Sequence, residues 1–267
     1  MVLGKRKKTD AALLKAAVWA LLLLYALIAA GLLSGALPHR WRSTGVPLLT
    51  VIAWGTAILH AAALLEKSDA ALFFGLSFIV SLGMETFGVH TGLVYGAYHY
   101  TTKLGFMVFN TVPLLIPLAW FMMVYPGWAM ARIIIPARGA LPKVARAAIG
   151  AFAVTAWDLG LDPLMVKNGY WVWEKGGGFF GVPLRNFFGW WLTVFLILVL
   201  FEALGKGKPR WASAASLQPI ALYAVVGAAT VWAAVQNGLS GSALAGGFAM
   251  LPWVLWGWAS ARGEVPR

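Results

Sequence analysis

The stretch Ala11–Leu37, AALLKAAVWALLLLYALIAAGLLSGAL, carries a single charge, Lys15, in 27 residues. A helix that crosses a bilayer needs roughly 20 mostly apolar residues, because in hydrocarbon every backbone N–H and C=O must be bonded within the segment. This run exceeds that length and has no polar face for water. Lys5-Arg6-Lys7-Lys8 stands just before it. A basic start and an apolar run also open a signal peptide, but this run is too long and further spans follow. It reads as a retained first helix.

Comparable runs follow at Val46–Leu65, Ala70–Val89, Leu104–Tyr125, Ala147–Met165, Phe187–Leu204, Leu217–Gln236 and Ser242–Ala261. The sequence therefore predicts an all-α, polytopic transmembrane helix bundle of about eight spans, seven being possible, forming one domain over residues 1–267. Gly127–Ile135, between Pro126 and Pro136, is too short to cross and is expected at the interface. Composition agrees: only 11% of residues are charged, against about a quarter in soluble domains. That leaves too little polar surface for a water-facing globule. There is no cysteine, which excludes disulfides, thiolate metal sites and iron–sulfur clusters.

The net charge of +12 does not mark a nucleic-acid surface, because the basic residues cluster in short loops between apolar runs, where they act as an orientation signal. One side of the bundle collects fifteen: Lys5, Arg6, Lys7, Lys8, Lys15, Lys67, Arg132, Arg138, Lys143, Arg146, Lys206, Lys208, Arg210, Arg262 and Arg267. The other collects six: Arg40, Arg42, Lys103, Lys167, Lys175 and Arg185. The positive-inside rule then places both termini in the cytoplasm and the protein in the cytoplasmic membrane. On the external side lie two long segments rich in Gly and aromatics, His90–Lys103 and Val166–Asn186. They are placed to cap a cavity, although any single ring there serves equally as an interfacial anchor.

Nine acids are few enough to take one by one. Asp10, Glu66, Asp69, Glu174 and Glu264 fall in loops or tails. Glu202 lies near an inner helix end, within a turn of Lys206, where it pairs or reaches water. Glu85, Asp158 and Asp162 remain inside spans. A carboxylate in hydrocarbon costs about 2.5 kcal/mol or more, so such residues face a cavity or a partner and mark function. Asp158 and Asp162, four apart, share one helix face. At about 1.5 Å per residue, Glu85 lies roughly 6 Å from its outer helix end, Asp162 roughly 5 Å and Asp158 roughly 11 Å. Asn110 and Asn186 fall in the outer halves of their spans, so five polar groups reach one layer. Plainer roles exist: an interhelical hydrogen bond for Asn110 and a helix start for Asn186. His39, His60, His90 and His99 read as isolated interfacial residues, and the chain offers too few further ligands for a metal site. Gly31-x-x-x-Gly35 and Gly88-x-x-x-Gly92-x-x-x-Gly96 read as helix-packing patterns.

One run is more specific. Trp157-Asp158-Leu-Gly-Leu-Asp162-Pro163, Asn168-Gly169-Tyr170-Trp171-Val-Trp173 and Gly178-Phe-Phe-Gly181-Val-Pro183-Leu-Arg-Asn186-Phe-Phe-Gly189-Trp190 together resemble the carotenoid biosynthesis membrane family. Its best-known members are the carotenoid 1′,2′-hydratases. Glu85-Thr-Phe-Gly88-Val-His-Thr-Gly92, Tyr95-Gly96-Ala-Tyr98-His-Tyr100 and Pro113-Leu-Leu-Ile-Pro117-Leu-Ala-Trp120 extend the likeness over about residues 85–190. The resemblance implies hydration of the terminal double bond of an acyclic carotenoid end, of the γ-carotene, lycopene or bacterioruberin-precursor type. The product is a tertiary alcohol and no redox cofactor is required.

Such chemistry needs a proton donor, a stabilised cation and a positioned water. Burial and a neighbouring carboxylate are the two conditions that keep a carboxylic acid protonated. In this reading one of Asp158 and Asp162 donates, and Glu85 or the other aspartate orients and deprotonates water. Trp157, Tyr170, Trp171 and Trp190 supply ring faces worth roughly 0.5–2 kcal/mol each to a cation. Asn110 and Asn186 hold the water, and the substrate enters sideways from lipid. Two alternatives stay open: another isoprenoid enzyme such as a membrane lycopene cyclase, and a proton-coupled transporter. A prenyltransferase fits less well, since a lone aspartate pair is thin for a Mg²⁺–diphosphate site.

Overall fold

The computed structural model describes residues 2–38, 42–205 and 213–264. Arg40, Lys206, Lys208, Arg210 and Arg267, used in the charge count above, and His39 lie outside the described residues. The chain forms eight helices, α1 (Val2–Leu33), α2 (Arg42–Leu64), α3 (Lys67–Thr91), α4 (Leu115–Ile134), α5 (Ala140–Lys167), α6 (Leu184–Leu204), α7 (Ser213–Gln236) and α8 (Ser240–Arg262). Among the described residues six of them, α1, α2, α3, α5, α6 and α7, are long and apolar enough to cross a membrane. The protein is an all-α polytopic membrane bundle.

The two remaining helices have the length but a more mixed composition. α4 touches α2, α3, α5, α6, α7 and α8, so it forms the inside of the bundle. Nearly every residue of α4 from Trp120 to Ala131 is buried, which is why it holds aromatics, prolines and an arginine. Large apolar side chains instead point outward from the surrounding helices, Leu27, Ile79, Phe188, Leu244 and Phe248 among them. Exposed apolar surface on this scale suits lipid and not water.

The sequence placed one span incorrectly. Leu104–Tyr125 is not one helix: a 3-10 turn at Thr102–Leu104 is followed by a hairpin, β2 (Met107–Val108) paired with β3 (Val112–Pro113). α4 starts only at Leu115 and continues through Pro126, so Gly127–Ile135 is its second half and not an interfacial segment. Proline is tolerated there because neighbouring helices re-satisfy the backbone it disturbs. Phe109 and Asn110 both take left-handed backbone angles, φ 52°, and Thr111 N–H donates to the Val108 carbonyl at 3.0 Å. That is a mirror-image turn of the kind hairpins favour.

The two aromatic loops are stitched together. β1 (Tyr98–Tyr100) pairs antiparallel with β4 (Trp171–Trp173), in register Tyr98↔Trp173, His99↔Val172 and Tyr100↔Trp171. Side chains alternate across a strand, so one face presents four rings inward while His99 and Val172 are exposed. The glycine patterns serve this cap, not helix–helix contact. Gly92 closes α3 in the left-handed region at φ 67°. Gly88 and Gly189 grip the Tyr95 ring from α3 and α6: a Cβ at either would stand 2.7 Å or 2.5 Å from it. Gly31 meets only the Leu37 side chain, and Gly35 is in a turn.

Candidate active site

Glu85 is on the last two turns of α3, buried, facing inward. Its Oε2 accepts from the Tyr98 hydroxyl and, at 2.8 Å, from the Tyr100 hydroxyl. Its Oε1 accepts from Trp120 Nε1 at 2.9 Å. The β1–β4 ribbon thus brings two phenols from the cap onto a carboxylate, and α4 adds an indole. Burial, and after it the charge of Glu85, push the Tyr98 and Tyr100 phenols well above their usual value. Both therefore keep their protons and act as donors.

Asp158 and Asp162 project from one face of α5 and are 0% and 2% exposed. Both carboxyl groups turn toward one amide nitrogen. Asn186, the third residue of α6, donates Nδ2 to Asp158 Oδ2 at 2.9 Å and to Asp162 Oδ2. Asp158 Oδ1 is buried and has no hydrogen-bond partner among the described residues. Asn186 does not act as a helix cap; Pro183 stands at that position, and the amide is spent on the two acids.

Both groups belong to one chamber of about 660 Å³. Glu85, Asp162, Asn186, Trp157, Tyr170, Trp171 and Trp190 line it, and Asp158 lies behind Asp162. Trp190 stacks on Trp120 at 4.1 Å between ring centroids and meets Trp157 edge-on at 5.9 Å. Trp157 is held by its Nε1 on Thr230 Oγ1, 2.8 Å away. The rest of the chamber is an apolar arm between α1, α2 and α7, lined by Tyr25, Ala29, Leu49, Val226, Ala229 and Ala233. Among the described residues no cation pairs with Glu85, Asp158 or Asp162.

Of the nine site residues expected from sequence, eight converge here and Asn110 does not. It is exposed at the tip of the β2–β3 hairpin, because Leu104–Pro113 turns back on itself before α4 begins. Tyr98, Tyr100, Trp120 and Trp173 are not among the expected residues. The i,i+2 aromatic spacing in Tyr98-His-Tyr100 and Trp171-Val-Trp173 is the signal that finds three of them. Asp69 is buried in the first turn of α3, not solvated in a loop. His60 is likewise buried, its Nδ1 2.6 Å from the Tyr125 hydroxyl.

Residues 45–253 match the family model described as carotenoid biosynthesis protein. The chain belongs to that family. The match takes in all or most of every helix except α1, and so covers the acids and tryptophans of the chamber but not its α1 side. A curated protein of similar sequence, the bisanhydrobacterioruberin hydratase of Haloarcula japonica, is 34% identical over 124 residues, 46% of this chain and 42% of that protein. The chain thus aligns with less than half the length of this relative. No solved structure matches.

Proposed function

We propose that the chamber hydrates the terminal isoprene double bond of an acyclic carotenoid end, giving a tertiary alcohol. The observation that carries this reading is the pairing of two uncompensated acid groups, Asp158–Asp162 and Glu85, across one aromatic-lined, mostly apolar space. An apolar substrate needs no charged binding group, and the reaction needs an acid and a base on separate walls. The likeness to the hydratase named above supports the same chemistry.

Two buried carboxyl groups held on one amide, with no cation paired to either among the described residues, share a proton. Asp162, the member that lines the chamber, donates it to the alkene carbon that leaves a tertiary cation. The faces of Trp157, Trp171 and Trp190 stabilise that cation. Glu85 accepts in all three of its hydrogen bonds, the pattern of a carboxylate, so it orients water and takes its proton as oxygen bonds to the cation. One water is added in all, and a proton returned to the aspartate pair restores the site. The apolar arm holds the polyene, which enters from lipid. The positive-inside count puts this chamber near the external leaflet.

Expression in a carotenoid-producing bacterium, with mass spectrometry of the pigments, tests the reading. The expected product gains one water per reacting end. A product of unchanged mass bearing a new ring would mean that an internal double bond traps the cation, and pigments left untouched would end the proposal.

A further inference from the structure

At the opposite end of the bundle a second pocket, about 240 Å³, lies between the last turn of α4, the start of α5 and the end of α6. Four cations line it, Arg132, Arg138, Lys143 and Arg146, with one carboxylate, Glu202. That carboxylate is saturated. Its Oε1 accepts from Trp128 Nε1 at 3.0 Å, Arg132 Nη1 at 3.1 Å and Arg146 Nε at 3.2 Å, and its Oε2 from Arg146 Nη2 at 2.7 Å. Arg146 spends its remaining Nη1 donor on the Ile135 and Ala137 carbonyls, so it belongs to the framework.

The other three cations keep free donors. Arg132 gives Glu202 one nitrogen and is partly exposed. Lys143 gives the Glu202 carbonyl one of its three protons, at 2.5 Å. Arg138 is exposed and has no carboxylate partner among the described residues. α5 also begins here, at Ala140, and Gly139 before it has no side chain to cap it, so its first amides and the positive end of its dipole add to the same field. Every element forming the pocket ends there, which puts it at headgroup depth and not in the hydrocarbon.

The geometry points to a binding site for the phosphate of an anionic phospholipid, held by Arg132, Arg138 and Lys143 against the α5 terminus. A phosphodiester fits this donor set: its two free oxygens match a guanidinium fork, and lysine serves as a point charge. The lipid, not a soluble phosphate, is the occupant because the mouth opens at the membrane surface beside the exposed apolar side chains of Leu141 and Val144, where acyl chains would lie.

Native mass spectrometry of the full-length protein in detergent, with equal phosphatidylglycerol and phosphatidylcholine, is the test. Phosphatidylglycerol should be retained preferentially by the unaltered protein. R138Q, which leaves the Glu202 network untouched, should weaken that retention about fivefold, the effect of one basic residue near an anionic surface. R138K should preserve most of it. Equal retention of the two lipids by the unaltered protein would overturn the proposal without any variant. So would an R138Q protein that keeps its preference, or millimolar inorganic phosphate displacing the lipid, which would assign the pocket to free phosphate.

Discussion

Two groups of buried acids sit at opposite ends of this bundle, and each receives a tryptophan N–H: Glu85 from Trp120 and Glu202 from Trp128. They differ in what balances their charge. Glu202 is clamped by Arg146 and Arg132 at 2.7 Å and 3.1 Å, with every donor supplied by the framework. Glu85, Asp158 and Asp162 have only neutral donors, and they border a chamber instead of filling a joint. A carboxylate with a counter-charge and saturated oxygens has no capacity left for chemistry. One without a cation holds or shares a proton readily, because burial disfavours its charged form, and this is the property an acid–base site requires.

The comparison can be broken most sharply at the chamber. D162N, D158N and E85Q keep shape and remove the titrating group, and general acid–base catalysis is worth about a hundredfold or more. Each should lower pigment hydration by at least that factor while the protein inserts and elutes as the unaltered protein does. Normal turnover in all three would move the site elsewhere. R146M should do the reverse. Leaving Glu202 buried without its main partner costs about 3–5 kcal/mol, so thermal unfolding in detergent should show a large loss of stability, and R146M/E202L should recover much of it. A variant that unfolded no more easily would show that the ion pair is not structural.

A smaller effect separates the two tryptophan-bonded acids. Y98F or Y100F removes one donor from Glu85, a bond to a charged group worth about 1.5–3 kcal/mol. Turnover should fall by roughly tenfold or more on that basis, and stability by no more than that bond's worth, less than for R146M. If stability fell and turnover did not, the β1–β4 cap would be scaffold only. The smallest expected change is at Asn110: N110A, in an exposed turn, should leave turnover unaltered and lower stability by about 1 kcal/mol, the cost of an alanine at its left-handed angle.

Much of this was legible residue by residue. Acids inside apolar runs announced a cavity because hydrocarbon does not solvate charge, and the i,i+4 spacing of Asp158 and Asp162 put them on one face whatever else the chain did. Leu104–Tyr125 misled because its composition is apolar while Gly105, Asn110 and Pro113 bend it into a hairpin, a matter of backbone angles and not of hydropathy. For Glu202 the sequence leaves pairing or contact with water open, and its partners Arg132 and Arg146 come from α4 and α5.

The sequence by itself determined a bundle of apolar helices, with its acids on inward faces, since burial costs act on each residue separately. Only the tertiary structure decided which acids meet. The β1–β4 pairing that delivers Tyr98 and Tyr100 to Glu85, and the α5–α6 contact that lays Asn186 across the aspartates, are set by distances between segments far apart in the chain. Local periodicity carries no information about those distances.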